Sequence, residues 1–151
     1  MKIDYQTTAP ATDSYYKLYE TTGWNRELSV TPADLARALA GSQYIVTAYV
    51  DGMLVGTGRV VSDGALHAML YDLIVHPDYQ GHSIGSTILG MLVQWCCAAN
   101  IRDIELLCSR GRSSFYGKNG FNPRPQNAPG MAFEKEAPMP RTRRKVLDRT
   151  R

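Results

Sequence analysis

At 151 residues, with 44% hydrophobic and 21% charged side chains, the chain suits one globular domain with a sizeable core and not a disordered polymer. No apolar run reaches membrane-spanning length, and Met1-Lys-Ile-Asp-Tyr-Gln6 lacks an apolar leader, so a cytoplasmic location with no membrane contact is expected. The net charge of +3 belongs to the tail: residues 1–133 carry 10 Lys/Arg against 11 Asp/Glu, whereas residues 134–151 carry 7 against 3. That split puts the basic character in a short tail that either is merely solvated or touches nucleic acid or acidic protein.

Ile3 to Thr7 alternates weakly and predicts a first strand. Asp13 is placed to cap a helix running to Thr22, which Gly23 stops. Thr31 as N-cap, Pro32 at the first helical position and Asp34 in the first turn predict a second helix, ended by Gly41. Residues 44–50 and 53–61 read as strands around the hairpin turn Asp51-Gly52. Leu66 to Val75 continues the meander after a turn at Ser62-Asp63-Gly64. Ile84 to Ala99 has helical periodicity, with Ile84, Ile88, Leu92 and Trp95 near one face. Asp103 to Leu107 predicts a buried parallel strand, Ser113 to Asn119 a short helix, and Met131 to Glu134 a last strand. The pattern is that of an α/β protein in which helices flank a mixed sheet, with one domain over residues 1–133 and a basic tail over residues 134–151. Three cysteines, two of them adjacent, with no Cys-x-x-Cys or His-x-x-x-His spacing, argue against a disulfide framework or a metal site and predict buried thiols.

The most informative stretch is Leu73-Ile-Val-His-Pro-Asp-Tyr-Gln-Gly-His-Ser-Ile-Gly-Ser86. A strand ends, His76-Pro77-Asp78 turns the chain, and a long apolar helix opens. Unpaired N–H groups at a helix start form a natural phosphate site. Gly81 and Gly85 let the backbone come close to a ligand. The spacing is neither the dinucleotide fingerprint nor a P-loop. Within the preceding strand, Asp72 is a carboxylate among apolar residues, which calls for a reason. Strict alternation puts it on the face of Leu70 and Ile74, opposite Tyr71 and Leu73. It can take a proton from an amine, bind an ammonium, or pair with an Arg. His67 is the other candidate base, since imidazole titrates near neutrality.

The Gln80–Gly85 turn resembles motif A of the GNAT superfamily of acetyl-CoA-dependent N-acetyltransferases, with Gln80, Gly81, Ile84 and Gly85 matching and Ser83 standing where the family usually has Gly. Phe115-Tyr-Gly-Lys-Asn-Gly-Phe121 resembles its motif B. The two come in the family's order, and the likeness runs from about Tyr44 to Phe133, nearest to small bacterial members and the plant serotonin N-acetyltransferase type. The resemblance implies a strand pair that splays at motif A and takes the pantetheine arm. It assigns Leu73, Ile74 and Val75 to the thioester and pantetheine, and the turn from Gln80 and Gly81 through His82, Ser83, Ile84 and Gly85 to Ser86 to the pyrophosphate. It makes Tyr116 the general acid that protonates the departing thiolate, and it places the acceptor between the residue 22–26 and 125–131 loops, where Trp24 and Met131 join Asp72. The expected reaction moves acetyl from acetyl-CoA to a primary amine, a small aromatic or alkyl amine first and a protein lysine or N-terminal amine second. A non-catalytic CoA-binding regulator whose tail contacts nucleic acid is the alternative of another class. A homodimer is an expectation of the family alone.

Overall fold

The computed structural model describes residues 1–133. The basic tail and Glu134 lie outside the described residues. Strand β1 (Asp4–Gln6) is followed by helices α1 (Thr12–Glu20), α2 (Asn25–Leu28) and α3 (Pro32–Ala40). Strands β2 (Tyr44–Val50), β3 (Met53–Ser62) and β4 (His67–Val75) form the meander; a 3-10 turn at Pro77–Tyr79 leads into α4 (Ile84–Ala98), β5 (Asp103–Leu106) and α5 (Ser113–Lys118). The five strands lie in chain order, antiparallel up to β4, with β5 parallel to β4. A right-handed crossover through a helix is what a parallel neighbour needs, and α4 supplies the connection.

Two apolar layers enclose the sheet. On one face, Ile88, Leu89 and Leu92 of α4 pack on Val46, Val60 and Leu70. On the other, Tyr15 and Leu18 of α1 and Leu35 and Leu39 of α3 cover Ile45, Leu54 and Ile74. The start of α3 is a full capping box, with the Thr31 side chain accepting from the Asp34 N–H and the Asp34 carboxylate accepting from the Thr31 N–H. Helix α1 starts two residues earlier than expected, after Ala11, so Asp13 sits in its first turn instead of capping it. Its charge still suits the positive helix end. The one-turn helix α2 has too few residues to show a periodicity and was not expected. Residues 131–133 form no strand. Among the thiols, Cys96 alone is buried, while Cys97 and Cys108 are exposed; the adjacent pair points in different directions because successive helical residues do not share a face.

Gly56 and Gly58 of β3 let α4 come down onto the sheet. A Cβ on Gly58 would lie 2.8 Å from both Ile88 Cγ2 and Leu92 Cδ1, and one on Gly56 would lie 2.9 Å from Ile88 Cδ1. Ile88 and Leu92 are fully buried and have little room to move. Gly58→Ala is therefore expected to cost about 1–3 kcal/mol by overpacking, despite a better strand propensity, measured as a lower denaturant midpoint at unchanged slope.

The strand that carries the site is not regular. Thr57 pairs with Ile74 and Arg59 with Tyr71, so Asp72 and Leu73 together face Gly58 alone. This is a β-bulge. Asp72 has φ of +52°, a conformation that costs a non-glycine residue on the order of 1 kcal/mol. The extra residue breaks the alternation expected for Asp72. It shares the α1 face with Tyr71 and Ile74, while Leu70 and Leu73 turn toward α4. The pairing of β4 with β5 runs from His67↔Asp103 to Leu70↔Leu106 and stops just before the bulge.

Candidate functional site

Beyond Leu70 the strands part, and a cleft of about 200 Å³ opens between them. Trp24 forms one wall, Asp72 and Leu73 the floor, Leu106, Leu107 and Ser109 the β5 side, and Tyr116 the far wall. Leu70, Leu89 and Leu92 make its depth apolar. An apolar cleft with a few convergent polar groups is the expected form of a small-molecule site. A larger, open hollow of about 710 Å³ lies near β1 between Lys2, Asp4, Tyr49 and Asp51, but none of the motif residues lines it.

Tyr116 is half-buried and packed edge-on against Phe115 (5.1 Å between centroids) and Phe121 (6.2 Å). These rings fix its direction, and no protein group among the described residues accepts from its hydroxyl. Burial, followed by the nearby Cys108, pushes its pKa upward, with Arg112 opposing. The phenol is thus held in its acid form through neutral pH.

Asp72 is gripped from two sides. Tyr15 Oη donates to its Oδ2 at 2.8 Å, and Arg59 Nε donates to the same oxygen at 2.6 Å. The Arg59 and Asp72 side chains are 14% and 17% exposed, so this pair is largely withdrawn from water. The other oxygen, Oδ1, accepts no hydrogen bond among the described residues. Tyr15 is fully buried. Burial, then the Asp72 charge, raises its pKa far above the ordinary phenol range. A raised folded-state pKa means that the unfolded chain loses this proton first. The stabilisation is complete below about pH 10 and declines as pH rises beyond it. Urea midpoints at neutral and strongly alkaline pH should show wild type losing more stability than Tyr15→Phe over that interval.

At the turn before α4, Gly81 (φ +80°) and Ser83 (φ +61°) take left-handed conformations that bring the chain into the helix. No side chain caps α4, and Ser83 O accepts from the Thr87 N–H, so the amides of Ile84, Gly85 and Ser86 have no helical partner. Gln80 ties the turn to the strand, its Nε2 donating to Val75 O at 3.2 Å. The His82 ring folds back onto the carbonyls of Tyr79 and Gln80. The missing side chain of Gly85 faces Phe115 Cζ (3.4 Å) and Val75 Cγ2 (3.5 Å). Its open side therefore meets the aromatic wall, and what it can offer an anion is its N–H.

The structure thus brings Trp24, Asp72, Leu73 and Tyr116 to one cleft, with Ile74, Val75 and the Gln80–Ser86 turn on the chain that leads away from it. It does not bring His67 or Met131 there. His67 lies at the start of β4, 68% exposed and beside Asp103 at 3.4 Å. Five strand residues, on the order of 16 Å, separate it from Asp72. Met131 is 93% exposed and lines no part of the cleft. Sequence reasoning missed Arg59 and Tyr15 as partners of Asp72. A signal for Arg59 was present: it is a lone cation in the apolar run of β3, as Asp72 is a lone carboxylate in the next strand.

A family model described as an acetyltransferase (GNAT) domain matches residues 41–123. An uncharacterised N-acetyltransferase, ycf52, from Pyropia yezoensis is 29% identical over 137 residues, 86% of this chain and 79% of its own. The histone acetyltransferase TAP1 of Glycine max is 32% identical over 78 residues, 52% of this chain but only 34% of that longer protein. Among solved structures, the PaiA N-acetyltransferase of Thermoplasma acidophilum, crystallised with coenzyme A, superimposes with a TM-score of 0.67 over 82% of this chain and 92% of its own, at 21% identity. That likeness shows the fold, a mixed sheet between helices. With the domain match spanning more than half of the sequence, the chain belongs to the GNAT acetyltransferase family and is an acyltransferase.

Proposed function

We propose that the protein transfers the acetyl group of acetyl-CoA to a small aromatic or alkyl primary amine in the cleft between β4 and β5. The observation that carries this reading is the cleft itself: about 200 Å³, apolar in its depth, with Tyr116 and Asp72 among its lining residues and Trp24 at its side. The unpaired amides from Ile84 to Ser86 suit a pyrophosphate, and the free edge of β4 from Tyr71 to Val75 suits a pantetheine amide and a thioester carbonyl. Asp72 Oδ1 receives the acceptor's amine N–H, and an indole face suits an aromatic or cationic acceptor. The neutral amine attacks the thioester carbon, the carbon–sulfur bond breaks, Tyr116 protonates the leaving thiolate, and the proton shed by the nitrogen passes to Asp72 or solvent, from which the Tyr116 oxygen is reprotonated. Three free cysteines suit a reducing compartment, the cytoplasm as first choice; no described helix is long and apolar enough to cross a membrane.

A protein amine is the second reading, supported by the partial likeness to TAP1, named as a histone acetyltransferase. One experiment separates them. Thiol release from acetyl-CoA is followed with a panel of arylalkylamines and alkylamines and, in parallel, with lysine-containing peptides. Turnover of amines in preference to peptides supports the first reading. Peptide turnover alone transfers support to the second.

A further inference from the structure

We infer that Tyr15 and Arg59 are positioning residues for acetyl transfer: by gripping the Asp72 carboxylate from α1 and β3, they hold the β4 bulge that opens the cleft. The inference rests on reading the cleft as the site of acetyl transfer. The bulge is a strained place. It is carried by an aspartate at φ +52°, not by glycine, so something must hold it there. Strand β5 does not, because its pairing ends at Leu70↔Leu106, and β3 pairs on either side of the bulge but leaves Asp72 and Leu73 to share Gly58. What does hold it is the side chain, through two donors converging on one oxygen at 2.8 Å and 2.6 Å.

Both donors are themselves fixed. Tyr15 is fully buried among Leu18, Leu35 and Ile74. Arg59 lies over the Tyr71 ring at 5.2 Å, and its Nη1 reaches Ser42 Oγ at 3.3 Å. The grip also reaches the acceptor side. Tyr15 meets Tyr19 edge-on at 6.4 Å, and Tyr19 meets Trp24 edge-on at 5.8 Å. One wall of the cleft and its floor are therefore referenced to the same carboxylate. An amine placed against Trp24 and a thioester placed against Leu73 are aligned by one cluster, and misalignment of the reacting atoms by about 1 Å costs on the order of 10²-fold in rate.

A purely structural pair would affect melting alone, so the test reads the bulge and the reaction separately. Full-length Tyr15→Phe, Arg59→Gln and Arg59→Lys are compared with wild type. Amide hydrogen exchange is measured without ligand at residues 71–75, with Leu89 and Leu92 of α4 as internal reference. Steady-state constants are measured for acetyl-CoA and for the best amine of the panel. In Tyr15→Phe and Arg59→Gln, exchange at the bulge should rise by about tenfold with the reference unchanged. In the same variants kcat should fall by about 10- to 100-fold, with KM for acetyl-CoA moving by less than about threefold. Arg59→Lys keeps the charge and should recover much of both. Unchanged exchange at the bulge would overturn the grip, and faster exchange with an intact kcat would overturn its role in the reaction. Should Arg59→Gln not fold, Tyr15→Phe, which loses one oxygen, still decides. If wild type acetylates nothing in the panel, it is the reading of the cleft that fails, and exchange alone upholds or overturns the grip.

Discussion

Tyr116→Phe should lower kcat by about 10²–10⁴-fold, the usual loss when a general acid is removed. The substitution takes away one oxygen that has no partner among the described residues and leaves the edge-on contacts with Phe115 and Phe121 in place. Melting and acetyl-CoA binding should therefore stay near wild type. The loss should appear in kcat, since the proton is needed only as the thiolate departs. Burial raises the Tyr116 pKa, so the alkaline fall in wild-type activity should begin above the ordinary phenol range and vanish in the Phe variant. A Phe variant within about twofold of wild type, with chemistry shown to be rate-limiting, would hand the role to water or another acid. A variant that no longer binds acetyl-CoA would instead make Tyr116 a packing residue.

Asp72→Asn should be the most destabilising conservative change in the site. Asn keeps the shape but leaves the Arg59 guanidinium, 14% exposed, with no anion. Breaking a largely buried pair from one side costs about 3 kcal/mol, which for a chain of this size lowers Tm by roughly 10 °C. The double change Asp72→Asn with Arg59→Met should cost less than the two singles added, because it removes both charges. Additive effects would mean that the pair is not coupled. On an amine substrate, Asp72→Asn should lose most kcat/KM at the acid end of the profile, where more acceptor is protonated. A folded Asn variant with an unchanged pH profile would confine Asp72 to holding the bulge.

Local chemistry was legible wherever it depends on near neighbours. The Thr31–Pro32–Asp34 cap, the Asp51-Gly52 hairpin and the α4 stripe all use contacts within a few residues, and the structure has them where the sequence puts them. The three-stranded meander and the parallel β5 were legible as well, though the strand order of the sheet as a whole was not. What could not be read is set by pairing at long range. The alternation argument misplaced Asp72 because a bulge is invisible to a two-residue period, and this one is stabilised by Tyr15, fifty-seven positions away. His67 was a chemical argument without a distance, and the strand length between it and Asp72 separates them. Met131 followed from the family's loop, while in the structure its side chain is turned to solvent. Arg59 was within reach of the rule applied to Asp72, and pairing the two lone charges of adjacent strands would have found it.

The molecule has two tryptophans, and they stand in unlike places. Trp24 lines the cleft, whereas Trp95 is stacked flat on Tyr44 at 5.2 Å, outside it. The indoles therefore form a built-in optical pair. Filling the cleft should quench or shift the emission of Trp24 while Trp95 stays constant as an internal standard. With Trp24→Phe the signal should fall silent to titrated ligand, so occupancy of the site becomes measurable by light alone, without a label and before any acceptor is known.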